Sequence, residues 1–81
     1  MEHSNKYYVL ISSMTLNNET WYYAGYFVRH EDKGYVHCVP GNAAKYSMAL
    51  KLVFEKEAKE LAKTLNKVQN YYKYTVKEVT L

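Results

Sequence analysis

The 81 residues carry a formal net charge of +3 with histidine neutral, are 48% hydrophobic and 23% charged, and include ten tyrosines. One hydrophobic core, and so one domain over residues 1–81, is what that length supports, and the composition lies far from the charge-rich, aromatic-poor signature of disorder. A single cysteine, Cys38, excludes an intrachain disulfide, and no apolar run nears the roughly eighteen residues of a membrane span. A soluble, cytoplasmic protein with no membrane partner is expected.

Residues 6–11 read as a strand with Tyr8 and Leu10 on one face and Tyr7, Val9 and Ile11 on the other. Apolar residues on both faces predict a central strand or a covered second face. Asn17-Asn18 tolerates left-handed backbone and predicts a hairpin turn, after which residues 21–30 resume as an aromatic-rich strand. Gly25 in the middle of that strand predicts a bulge, a sharp twist or a neighbouring aromatic lying across it.

Glu31-Asp32-Lys33-Gly34 has the form of a type I turn closing on a left-handed glycine, leading into a short strand at 35–39. Pro40-Gly41 reads as a type II turn. Residues 43–53 alternate better with period two than with period 3.6, which predicts a short strand at 49–53.

From Phe54 the apolar positions Phe54, Ala58, Leu61, Ala62, Leu65 and Val68 recur at helical spacing, opposite Lys56, Lys59, Glu60, Lys63 and Lys67. This predicts an amphipathic helix of about four turns with Leu61 and Leu65 as its core anchors, a Glu55–Lys59 pair, and Asn66 or Asn70 at its end. Residues 71–79 then alternate as a last strand. The expected fold is α+β: an antiparallel sheet of four to five strands, in the order β-β-β-(β)-α-β, with one helix packed on one face. One helix covers one face only, so the other is expected to stay rich in tyrosine.

Catalytic chemistry finds little support in the residue pattern. His3, His30 and His37 show no helical metal-ligand spacing, and His37 and Cys38 are neighbours on a strand, so they point to opposite faces. Gly25, Gly34 and Gly41 are isolated and none opens a helix, which leaves no phosphate loop. Neither an enzyme, a cofactor nor a metal site is expected.

The tyrosines are the functional clue, because tyrosine offers stiff contact area with a hydrogen-bonding tip. Trp21, Tyr23, Tyr26, Tyr35, Tyr72 and Tyr74 are the candidate interaction surface for a protein partner or a second copy of the chain. An alternative reading is a single-stranded nucleic-acid binder that stacks bases on the same aromatics and adds Arg29, Lys33 and Lys73. The lysines on the polar side of the helix are where any solvated helix places them, and Glu55, Glu57 and Glu60 interrupt their field.

The runs Lys6-Tyr7-Tyr8-Val9-Leu10-Ile11, Trp21-Tyr22-Tyr23-Ala24-Gly25-Tyr26 and Phe54-Glu55-Lys56-Glu57-Ala58-Lys59-Glu60-Leu61, with a tyrosine-rich last strand, give the chain its character. In this it resembles small orphan proteins encoded by phages and prophages of Gram-positive bacteria. The resemblance implies a protein that binds and inhibits a host protein in the host cytoplasm, in the manner of anti-CRISPR inhibitors of defence nucleases. It supplies no catalytic residues.

Overall fold

The computed structural model describes residues 5–81, so His3 lies outside the described part. Four strands, β1 (Lys6–Leu16), β2 (Glu19–Asp32), β3 (Tyr35–Ala43) and β4 (Tyr74–Thr80), form one antiparallel sheet in the order β3-β2-β1-β4. A short 3-10 turn (Tyr46–Met48) and one helix, α1 (Glu55–Val68), lie between β3 and β4. The protein is therefore α+β. β1 is central, as its two apolar faces require.

Both hairpins close through two-residue turns with positive φ at each central position. Asn17 and Asn18 stand at 56° and 55°, and Lys33 and Gly34 at 50° and 84°. These are type I′ values, whose twist matches the flanking strands. The second turn is thus tighter than the type I turn expected from Glu31-Asp32-Lys33-Gly34, and it places Asp32 opposite Tyr35.

Each hairpin also carries an irregularity in which three residues oppose one. In β1, residues 13–15 face Thr20, and the Oγ of Ser12 accepts a bond from the Met14 amide at 3.1 Å. In β2, Ala24, Gly25 and Tyr26 face Gly41. Gly25 takes φ +95°, and the Tyr26 ring lies so close to Gly41 that a Cβ there would stand 2.5–2.9 Å from its carbons. Gly25 therefore does mark a bulge, and Tyr26 covers a glycine across the ladder.

Three other expectations are corrected. Pro40-Gly41 makes no turn: β3 runs through it to Ala43, and Pro40 pairs with Phe27. Proline is accommodated because β3 is an edge strand, where an outward-facing position owes the ladder no N–H. Residues 49–53 form no fifth strand; Leu52 makes a single bridge to Tyr8, with N–H···O distances of 2.8 and 2.9 Å, and the Leu50 amide donates to the Tyr23 carbonyl at 2.9 Å. This segment wedges between β1 and β2 where they part, so it reaches one strand on each side and builds a ladder with neither.

Finally, Asn66 does not end the helix. Its side chain bonds the Tyr74 backbone twice, donating to the carbonyl at 3.0 Å and accepting from the amide at 2.8 Å. Gln69 closes the helix instead, donating to the Leu65 and Tyr72 carbonyls and accepting from the Tyr71 and Tyr72 amides.

Two buried clusters hold the molecule together. Ala58, Ala62 and Leu65 of α1 share one with Tyr8, Leu10, Tyr23 and Tyr74, and Leu61 packs at its margin, half-buried. The second, on the opposite side of β1, joins Val9, Tyr22 and Ala49, with Tyr7, Ile11, Tyr46 and Val79 against them. Contrary to the expectation of an open tyrosine face, this second side is closed by the segment that carries Tyr46 and Ala49.

Candidate functional site: the β2–β3 ribbon

Beyond the bulge, β2 and β3 continue as a two-stranded ribbon of six cross-strand pairs, from Phe27–Pro40 to Asp32–Tyr35. Strand alternation puts Phe27, Arg29 and Glu31 with Pro40, Cys38 and Val36 on one face. Val28, His30 and Asp32 with Val39, His37 and Tyr35 make up the other. Neither face is covered along most of its length, and Tyr26, Phe27, Val28, Tyr35 and Val36 are all exposed, with Tyr35 at 76%. The projection shows in the overall shape: the radius of gyration is 13.9 Å, against about 12 Å for a compact chain of this length, and the extents are 55 × 27 × 15 Å.

The ribbon is electrically balanced. Arg29 and Lys33 are offset by Glu31 and Asp32, and the Arg29 guanidinium donates to the Glu31 carboxylate at 2.8 Å in an exposed pair. β3 itself contains no charged residue. Edge strands usually carry lysine or another charge that discourages pairing with a second chain, so a neutral edge flanked by exposed valine and tyrosine is an available surface.

The six candidate residues divide. Tyr35 stands on the ribbon and Tyr26 in the bulge at its base, both exposed. Tyr23 and Tyr74 are core residues at 6% and 2% exposure and are closed to any partner. Trp21 and Tyr72 are half-buried, and the Trp21 indole donates to the Leu16 carbonyl at 3.1 Å, bracing the first hairpin. Phe27, Val28 and Val36 belong to the same exposed surface, although tyrosine content does not point to them. The signal for them is the pair of hydrophobic runs on either side of Lys33-Gly34.

Aromatic contacts elsewhere are structural. Tyr22 and Tyr46 meet at a 37° tilt with ring centres 4.9 Å apart, Tyr7 meets Tyr46 edge-on at 6.4 Å, and the Lys77 ammonium lies 5.5 Å from the Tyr46 ring centre. Contact with that ammonium holds the Tyr46 phenol below its ordinary range, while the bond to Tyr46, followed by burial, pushes Tyr22 up. On the ribbon, His37 stacks with the rings of both His30 and Tyr71, at 5.9 and 6.0 Å and with interplanar angles of 24° and 20°.

No group of three or more His, Cys, Asp and Glu side chains among the described residues converges as a metal site, and none of the described helices is long and apolar enough to cross a membrane. No protein-family model, curated protein or solved structure matches the chain.

Proposed function

We propose that the protein is a non-enzymatic binding module that engages a protein partner with the β2–β3 ribbon, acting by occlusion. The observation that carries this reading is the exposure of Phe27, Val28, Tyr35 and Val36 on an uncovered ribbon whose charges cancel, with Tyr26 exposed in the bulge at its base. Exposed apolar area of this kind marks contact surfaces, and tyrosine with valine around a neutral backbone edge suits a protein rather than a polyanion. The resemblance to phage-encoded orphan proteins directs the search toward a host protein and an inhibitory outcome.

Capture from host lysate, with and without nuclease, tests the reading alongside Val36→Asp and Tyr35→Ala. Nuclease-resistant capture that is lost in both variants, with their circular dichroism unchanged, is the expected result. Capture that disappears with nuclease, or that survives both variants, removes it. In the first case the nucleic-acid reading with Arg29, Lys33 and Lys73 takes its place.

A further inference from the structure

The two-residue turn at Lys33-Gly34 sets Asp32 against Tyr35, and counting back along the ladder sets His30 directly opposite His37. Residues seven apart in sequence thus become cross-strand partners on one face, at a separation that neither helical nor single-strand spacing reveals. Directly opposed positions in an antiparallel pair hold their Cβ atoms about 4.5–5.5 Å apart, which suits two imidazoles sharing one ion. Two Zn–N bonds of about 2.0–2.1 Å at a tetrahedral angle bring imidazole centres to roughly 5 Å. The His30 and His37 ring centres are 5.9 Å apart.

We propose that His30 and His37 form a two-imidazole site for a divalent transition-metal ion of the zinc class. Closing the rings from their near-parallel stack onto one ion takes rotation about the side-chain torsions, and His30 is exposed and free to make it. Tyr71 also stacks on His37, its own amide is held by the Gln69 side chain at 2.9 Å, and His37 is half-buried where His30 is exposed, so His37 is the positioned ligand and His30 the one that swings. The local field permits a cation: Asp32 lies on the same strand face, two residues from His30, while Arg29 is on the opposite face and paired with Glu31. Cys38 also faces away from His37 and takes no part. Imidazole selects zinc-class ions over magnesium or calcium, which prefer oxygen ligands. The remaining coordination positions open outward, to water or to a ligand from another molecule.

The test is zinc chloride titration of the intact chain, followed by calorimetry and by the histidine ring resonances in NMR, with sedimentation run in parallel. Saturable binding that shifts the His30 and His37 signals, weakens about tenfold or more in His37→Ala and in His30→Ala, and is unchanged in Cys38→Ser supports the site. A stoichiometry of one ion per chain assigns the open positions to water, and one ion per two chains with zinc-dependent dimers assigns them to a second copy; both support it. Absence of binding below about 1 mM zinc, binding that persists in the double alanine variant, or loss in Cys38→Ser overturns it. So does a result in which the alanine variants lower the melting temperature equally with and without zinc, since that is what ring packing alone produces.

Discussion

The Tyr74 phenol is 2% exposed, yet it donates to the Asn42 side-chain oxygen at 2.7 Å, so its burial leaves no polar atom unpaired. Burial nevertheless disfavours the phenolate and pushes its pKa up to about 12, outweighing the opposing bonds to Ser12 and Asn42. A group whose folded pKa is raised contributes stability that is complete below its unfolded value of 10.0 and is lost as pH climbs toward the folded value. Melting temperature is therefore expected to hold steady up to about pH 10 and to fall between about 10 and 12. In Tyr74→Phe, whose ring cannot ionise, that decline is shallower, though the variant starts lower because Asn42 loses its partner. Absorbance at 295 nm reads the same effect directly, since Tyr74→Phe removes one late-titrating phenol while Tyr22 and Tyr23, also pushed up, remain. An identical alkaline slope in the variant would assign the decline to other groups.

Among the elements, the junction between α1 and β4 shows how a side chain substitutes for a strand. Asn66 presents its amide to the Tyr74 backbone as a neighbouring strand would, accepting and donating one bond each, and so fixes where β4 begins. Asn66→Ala leaves both backbone groups without their partner and is expected to cost about 1–3 kcal/mol in urea unfolding. Asn70→Ala, at an exposed position, should stay within about 0.5 kcal/mol. Equal effects would show that the docking bonds contribute nothing.

Leu65, buried between Ala62 and the sheet tyrosines, sets the larger scale: Leu65→Ala should cost about 2–4 kcal/mol, measured the same way. Leu61 is only half-buried and should cost less. The helix, its Glu55–Lys59 pair at 2.8 Å and the Asn17-Asn18 turn were all legible in the sequence, because periodicity and left-handed tolerance are local properties. The bulge at Gly25 was among the forms that its place in mid-strand allowed, whereas the irregularity in β1 after Ser12, the strand through Pro40-Gly41 and the wedge at residues 50–52 were not legible. Each depends on which chain lies alongside, such as Leu50 under Gly25 or Tyr26 over Gly41. The candidate surface was half legible for the same reason. Tyr23 and Tyr26 read alike in a strand of aromatics, and what separates core from ribbon is the point where the 50–52 segment drives β2 away from β1.

At the scale of the whole molecule, the net charge of +3 opposes association while the ribbon favours it, and the location of the charge decides between them. The lysines of α1 and β4 lie outside the ribbon, where Arg29 and Lys33 cancel Glu31 and Asp32, so two ribbons can meet without like-charge repulsion at the contact. In β3 the outward-facing backbone groups belong to an uncharged strand with Val36 at 55% exposure, whereas the other edge, β4, carries Lys77 and Glu78. The expected outcome is self-association at micromolar concentration through the β3 edge and the apolar residues beside it, when no other partner is present. Because the contact is desolvated area rather than ion pairing, the dimer should persist when salt is raised to about 0.5 M, where exposed charge interactions are largely screened. It should also persist in a chelator, which separates it from any zinc-bridged species. Val36→Asp places a charge near the start of the edge strand, among its most exposed apolar residues, and should return the protein to monomer in sedimentation velocity without changing its circular dichroism. A wild-type protein that remains monomeric at several hundred micromolar would exclude the second copy and leave the ribbon to a different protein; a dimer that dissolves with salt would move the contact to the lysine-bearing helix.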